Sequence, residues 1–199
     1  MSPIDRLLEI SSPALADEVG QAGGSLGELL RRRNGFYAFL GALHVYPTVS
    51  GGDEISQSDW NSEDLWKGQY PGLGQEYTAF AEDLFGGQFL YSESGVFQLD
   101  PETGEIEEIS TDIEGWCAAI LEEPEILTGY PLAEEWQELH GQLPAGKRLA
   151  PRKPFVLGGE FACDNLMLVN TVESLRWRAE LAAKIRDVPD GGQIVLRYE

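Results

Sequence analysis

Residues 78–109 read TAFAEDLFGGQFLYSESGVFQLDPETGEIEEI, and the reading of this stretch decides the fold. Four short runs, Thr78 to Phe85, Gln88 to Tyr91, Val96 to Leu99 and Glu105 to Ile109, are separated by turn residues. Gly86-Gly87 is a two-residue hairpin signal, and Asp100-Pro101-Glu102-Thr103-Gly104 carries the glycine of a longer hairpin loop. Consecutive hairpins predict an antiparallel meander with one face on a core and the other able to face water. In the last run Glu105, Glu107 and Glu108 interleave with Ile106 and Ile109, so these acids point mostly outward.

Helical signals flank the block. Thr111 and Glu114 form a capping box ahead of Ile113, Trp116, Cys117, Ile120 and Leu121 at helical spacing, and Pro124 ends that helix. A second helix starts at Pro131, with Leu132, Trp136 and Leu139 on one side and Glu134, Glu135 and Glu138 on the other. Upstream, Ser2-Pro3 and Ser12-Pro13 each offer an N-cap followed by proline, and Ser25 with Glu28 caps a helix that ends near Asn34-Gly35. Phe36 to Leu40 and Leu43 to Pro47 read as buried, with helix and strand both open. Residues 48–76 are loop-rich and hold Trp60, Trp66 and Tyr70, which serve either as a contact site or, with more weight, as anchors of a long connection.

Downstream, residues 143–154 read as a linker or strap, and Phe155-Val156-Leu157 and Leu166 to Val169 as strands. Asn170 caps a helix bearing Val172, Leu175, Ala179, Ala182 and Ile185. Asp190-Gly191-Gly192 then turns into a last strand, Gln193 to Tyr198. The expected architecture is therefore α+β: a central antiparallel sheet with flanking helices over 1–146, and a strand-helix-strand extension over 147–199 packed on it.

Charge narrows the function. The chain has 34 Asp and Glu against 14 Lys and Arg, a net charge of −20. Residues 68–146 contain 17 acids and no Lys or Arg, whereas residues 147–199 hold nine bases and seven acids. Direct nucleic-acid binding is disfavoured, because phosphate contacts need clustered cations. No apolar run approaches the ~20 residues that span a bilayer, and the N-terminus lacks a signal pattern. Two distant cysteines, Cys117 and Cys163, read as buried free thiols, so a cytoplasmic location is expected.

Motifs for chemistry fail on spacing. Gly51-Gly52-Asp53-Glu54-Ile55 and Gly158-Gly159-Glu160-Phe161 look like a diguanylate-cyclase signature, but the first lies in a loop-rich stretch only 50 residues in, the second lacks one acid, and neither has a basic phosphate clamp. His44 sits among apolar residues and reads as a satisfied interior imidazole; His140 falls near a helix C-terminus. No metalloprotease, nucleophile-elbow or P-loop spacing occurs. Neither catalysis, a cofactor nor a metal is expected.

Phe80 to Phe89, followed by Gly95 to Gly104 and the helical Trp116, resembles the SMI1/KNR4 family, also called the SUKH superfamily. Leu29-Leu30 and Arg33-Asn34-Gly35-Phe36 look like that family's helix entering an Asn-Gly turn. The likeness covers roughly residues 25–140 and rests on fold-determining motifs. It implies an antiparallel sheet with helices on one side and, in bacteria, an immunity protein that binds and neutralises a secreted toxin, often a nuclease or deaminase. The expected partner is a basic toxin domain, held by Glu82, Asp83, Glu93, Glu105, Glu107, Glu108, Asp112 and Glu114, with Trp60, Trp66 and Tyr70 as aromatic anchors. An intracellular scaffold or regulator is the alternative.

Overall fold

A computed structural model describes residues 1–20, 23–188 and 192. The predicted last strand, Gln193 to Tyr198, lies outside these residues. In chain order the elements are α1 (Pro3–Glu9), α2 (Gly24–Arg32), β1 (Phe36–Ala38), β2 (Leu43–Val45), α3 (Gln57–Trp60), β3 (Thr78–Glu82), β4 (Gln88–Ser92), β5 (Gly95–Leu99) and β6 (Ile106–Ser110). They continue as α4 (Ile113–Glu122), α5 (Pro124–Thr128), α6 (Leu132–His140), β7 (Lys147–Pro151), β8 (Leu166–Asn170) and α7 (Thr171–Ile185).

The meander is present and longer than predicted. Strands β1 to β6 form one antiparallel sheet in sequence order, and β7 pairs with β8 separately. The stretch left open between helix and strand supplies β1 and β2. Their connection holds Phe39 and Leu40 in left-handed backbone conformations, at φ 51° and 57°.

Local chemistry corrects several boundaries. Asp112, not Thr111, caps α4 by accepting from the Gly115 N–H at 2.8 Å. Helix α2 begins at Gly24, so Ser25 lies inside it and caps nothing. Ser12-Pro13 starts no helix; the Ser12 hydroxyl accepts from the Tyr37 N–H at 3.0 Å, tying this segment to the edge strand β1. Pro124 ends α4 but opens α5, as a proline suited to a first helical turn does. The strap predicted over residues 143–154 contains β7. Phe155 to Leu157 is a 3₁₀ turn, closed by the Leu157 N–H on the Pro154 carbonyl.

Both faces of the sheet are covered, where one was expected to face water. On one face, α1, α2 and α4 bury Leu7, Leu29, Phe36, Phe80, Phe89, Trp116 and Ile120. On the other, Tyr46, Ala79, Leu90 and Leu99 meet Trp60, Trp66 and Tyr70 from the long connection and Leu175 and Ala179 from α7. The cause is visible in the strands: Ala79-Phe80 and Phe89-Leu90 place apolar side chains on alternate faces, which a half-solvated sheet does not do. The aromatic connection is an interior layer. Ring centroids run Tyr46–Trp60 at 4.8 Å, Trp60–Trp66 at 5.7 Å and Trp66–Tyr70 at 5.9 Å.

The Asn34-Gly35 turn fixes the entry to β1. Gly35 has φ +71°, and a Cβ there would lie 2.7 Å from the backbone nitrogen of Pro47. Left-handed backbone alone costs an L-residue about 1–2 kcal/mol, and the contact with backbone adds to it. Gly35→Ala should therefore lower stability by about 2 kcal/mol or more in urea denaturation, with the m-value unchanged.

Candidate functional site: a buried charge row and an acidic cleft

Cross-strand register builds a polar row on the face covered by the aromatic layer. Tyr37 faces His44, His44 faces Glu82, and Glu82 faces Gln88. The His44 Nδ1 lies 3.1 Å from Glu82 Oε1, and its Nε2 lies 3.3 Å from Glu54 Oε2. Its ring stacks on Tyr37 at 4.4 Å, and the Tyr37 hydroxyl donates to Glu54 Oε1 at 3.0 Å. From β7, the Arg148 Nε reaches Glu82 Oε1 at 2.9 Å. Glu82 and Arg148 are each almost fully buried. Burial opposes ionisation of Glu82, yet Arg148 and His44 outweigh it and hold the carboxyl below its usual range.

Glu54 arrives through the first cyclase-like match. Gly51 and Glu54 pair across a tight turn that aims the carboxylate at His44. This glycine pair performs turn chemistry.

The next residue opens the second feature. Asp83 Oδ1 accepts from the backbone N–H groups of Phe85 and Gly87, both at 2.8 Å, and Oδ2 accepts from Gln98 at 3.2 Å. Burial pushes its carboxyl up to about 7, although the two N–H groups and Arg178 pull the other way. The buried Arg178 of α7 donates through Nη1 to the Phe85 carbonyl at 2.6 Å. Together they floor a cleft of about 620 Å³ between β5–β6, α5 and residues 155–161.

The cleft has an aromatic wall and an acidic mouth. Phe155 and Phe161 stack at 3.9 Å, and Phe85 meets them edge-on at 5.2 and 5.8 Å. The second cyclase-like match makes this stack: Gly159 runs against the Lys153 carbonyl where no Cβ fits, and the chain then delivers Phe161 onto Phe155. Asp100, Glu105, Glu107 and Glu125 surround the opening and are exposed, and the one cation among the lining residues is Arg178.

The sequence-predicted contact residues divide three ways. Glu82, Asp83, Trp60, Trp66 and Tyr70 are interior, so they are not surface contacts; their side chains bond to protein groups or pack in the aromatic layer. Glu93 and Asp112 are exposed at one end of the strands, with half-buried Glu114 beside them in α4. Glu105 and Glu107 lie at the other end, about 16 Å away along five residues of strand. Glu107 sits opposite Gln98 at the cleft, whereas Glu108 sits opposite Phe97 on the other face. The single acidic surface inferred from bulk charge is thus split.

Sequence reasoning missed Glu54, Gln98, Glu102, Glu125, Arg148 and Arg178. Arg178 was legible, since it falls three residues after Leu175 and so on the apolar stripe of α7. Arg148 is hidden in the sequence because the prolines and bases of residues 143–154 read as a linker or strap rather than as β7.

Among the described residues no group of three or more His, Cys, Asp or Glu is arranged to hold a metal ion. No helix among them is long and apolar enough to cross a membrane. Cys117 and Cys163 are both buried and free.

No family model and no curated protein matches the chain. Among solved structures, the crystal structure of Atu4351 from Agrobacterium tumefaciens is similar, with a TM-score of 0.59 at 13% identity over 87% of this chain and 86% of that one. That likeness shows the fold alone.

Two predictions follow from the charges. Arg148→Met strands Glu82 without its cation and should cost about 3–5 kcal/mol at pH 7 in urea denaturation. The loss should shrink towards pH 4, where the stranded carboxyl is protonated. Asp83 has the opposite sign: its raised folded pKa gives stability that is complete below the ordinary Asp range and is lost as pH rises through about 7. Asp83→Asn, measured by thermal melts, should therefore gain at least about 1 kcal/mol on the parent between pH 5 and pH 8.

Proposed function

We propose that this chain is an immunity protein of the SUKH type, which binds a cognate basic toxin domain in the cytoplasm of the producing cell and blocks it by covering its surface. The observation that carries this reading is the cleft end of the sheet. There Asp100, Glu105, Glu107 and Glu125 ring an aromatic-walled concavity whose one lining cation is buried. Charge that serves only solubility has no reason to gather around an apolar recess, whereas a binding surface combines an apolar centre with a polar rim. Complementary charge also speeds encounter, from about 10⁵–10⁶ towards 10⁸–10⁹ M⁻¹s⁻¹ at low salt.

One observation favours a second reading, an intracellular scaffold or regulator. Met167 and Leu168 of β8 and Trp177 of α7 are partly exposed close together, an apolar patch away from the acidic cleft that would serve a further partner. A scaffold would use both surfaces; an immunity protein needs the cleft end.

Tagged protein purified from its native cell at low salt should bring down a basic toxin domain. With that partner, the charge reversals Glu105→Lys and Glu107→Lys together should slow association at least tenfold, while Glu108→Lys on the opposite face should slow it far less. An association rate that is the same at low and high salt, or equal sensitivity to all three positions, would count against this reading.

A further inference from the structure

We infer that the free edge of β8 is a self-association seam, at which two copies of this chain pair their β8 strands antiparallel about a two-fold axis at Leu168. This surface shares no lining residue with the acidic cleft.

Backbone register is the first support. In an antiparallel pair each residue's N–H and C=O point to the same side. The Leu149 N–H donates to the Leu84 carbonyl at 3.0 Å, so Leu149 faces away from β8. Its register partner Leu168 therefore faces away from β7, and so do Leu166 and Asn170 on either side of it. Beyond the pairing with β7, no described group bonds the N–H or carbonyl of Leu168, the carbonyl of Leu166 or the N–H of Asn170. Under a two-fold axis these groups complement themselves. Leu168 exchanges two hydrogen bonds with Leu168 of the partner subunit, and at each end a Leu166 carbonyl meets the partner's Asn170 N–H.

Side-chain chemistry is the second. The two edges of the large sheet are guarded. Ser12 bonds both the N–H and the carbonyl of Tyr37 in β1, and β6 carries the exposed Glu107 and Glu108. Strand β8 reads Leu-Met-Leu-Val-Asn, with no charge, proline or bulge, a composition that invites addition of another strand. Met167 and Leu168 are 40% and 39% exposed. Met167 and Val169 line a groove with Trp177 on one side of the strand, and Leu168 lines one with Trp136 on the other. A paired copy covers both grooves with the same apolar side chains.

Charge is the third. Two copies of a chain at −20 repel wherever their acids face each other. The Trp177 groove holds one base and one acid, both exposed, and the Trp136 groove shares that base and adds one acid, Asp164. The base, Arg152, stands at the Leu166 end of β8, where its N–H bonds the Asn165 carbonyl. The acid, Glu173, stands at the other end, where its N–H bonds the Asn170 side chain. Neither makes an ion pair among the described residues. The two-fold axis reverses one strand against the other and so brings each Arg152 towards the partner's Glu173. A second copy is favoured over a foreign strand because this one axis satisfies the backbone groups and both charges together.

Sedimentation velocity on the full chain, from about 1 µM to about 1 mM, should show monomer passing to dimer, since so short a seam makes a weak interface. Arg152→Glu or Glu173→Arg alone sets like charges against each other and should weaken the dimer at least fivefold. The double variant Arg152→Glu/Glu173→Arg should return it to within about threefold of the parent. Both side chains are exposed, so these variants should fold. Leu168→Pro removes an outward N–H that an edge strand can lose, and should give a folded monomer by circular dichroism and sedimentation. In hydrogen exchange followed by NMR, the Leu168 amide should exchange more slowly as the concentration rises. A monomer throughout, a dimer indifferent to the single charge reversals, or a double variant as weak as the singles would each overturn the inference. So would a Leu168 amide whose protection is the same at every concentration, which would assign this edge to another part of the same chain.

Discussion

The ion pair between Arg148 and Glu82 is the constraint on which the rest of the structure depends. A carboxylate in the middle strand of a sheet covered on both faces can remain ionised only if a cation reaches it through the interior. Here the cation comes from β7, more than sixty residues along the chain, and His44 and Tyr37 complete the shell around it. Two buried charges contribute little net stability compared with apolar residues of the same size, yet removing either one alone is costly. In this structure the pair ties β7 to β3 on the sheet face that the aromatic layer covers.

Arg178 repeats this arrangement one step along. Consecutive residues Glu82 and Asp83 each meet an arginine of the C-terminal segment: Glu82 through a direct ion pair, Asp83 through the longer-range field of Arg178. The difference in partner explains the difference in titration. Glu82 is held ionised, while Asp83, bonded chiefly to backbone N–H groups and to Gln98, is pushed up to about 7. Two bases of the C-terminal segment, Arg148 and Arg178, thus act inside the protein, and the acids at the cleft mouth make no ion pair among the described residues.

The meander was legible because its turns are spelled by glycine at Gly86-Gly87 and Gly104, and because acids interleave with Ile106 and Ile109 in the last run. Helix α7 was legible from its Asn170 cap and periodicity, and α4 from periodicity although its cap is Asp112. What the sequence hid has physical causes. The covering of the second sheet face depends on a long connection whose aromatics look the same whether they sit inside or outside. The two glycine-rich matches imitate a catalytic signature, yet they are turns that deliver Glu54 to His44 and Phe161 to Phe155. Acidic residues gave no sign of depth: Glu82 and Glu107 look alike in sequence, and only register and the reach of Arg148 place one inside and the other at the cleft. Charge read from sequence alone therefore mixes interior acids with surface ones.

The central claim is that a protein partner sits on the cleft end of the sheet. Carbodiimide labelling of carboxyl groups in the complex, read by mass spectrometry against the free chain, tests it most directly. Protection should fall on Glu105, Glu107 and Glu125 and spare Glu93 and Asp112 at the far end of the strands. Protection confined to Glu93 and Asp112, or none at all, would contradict it.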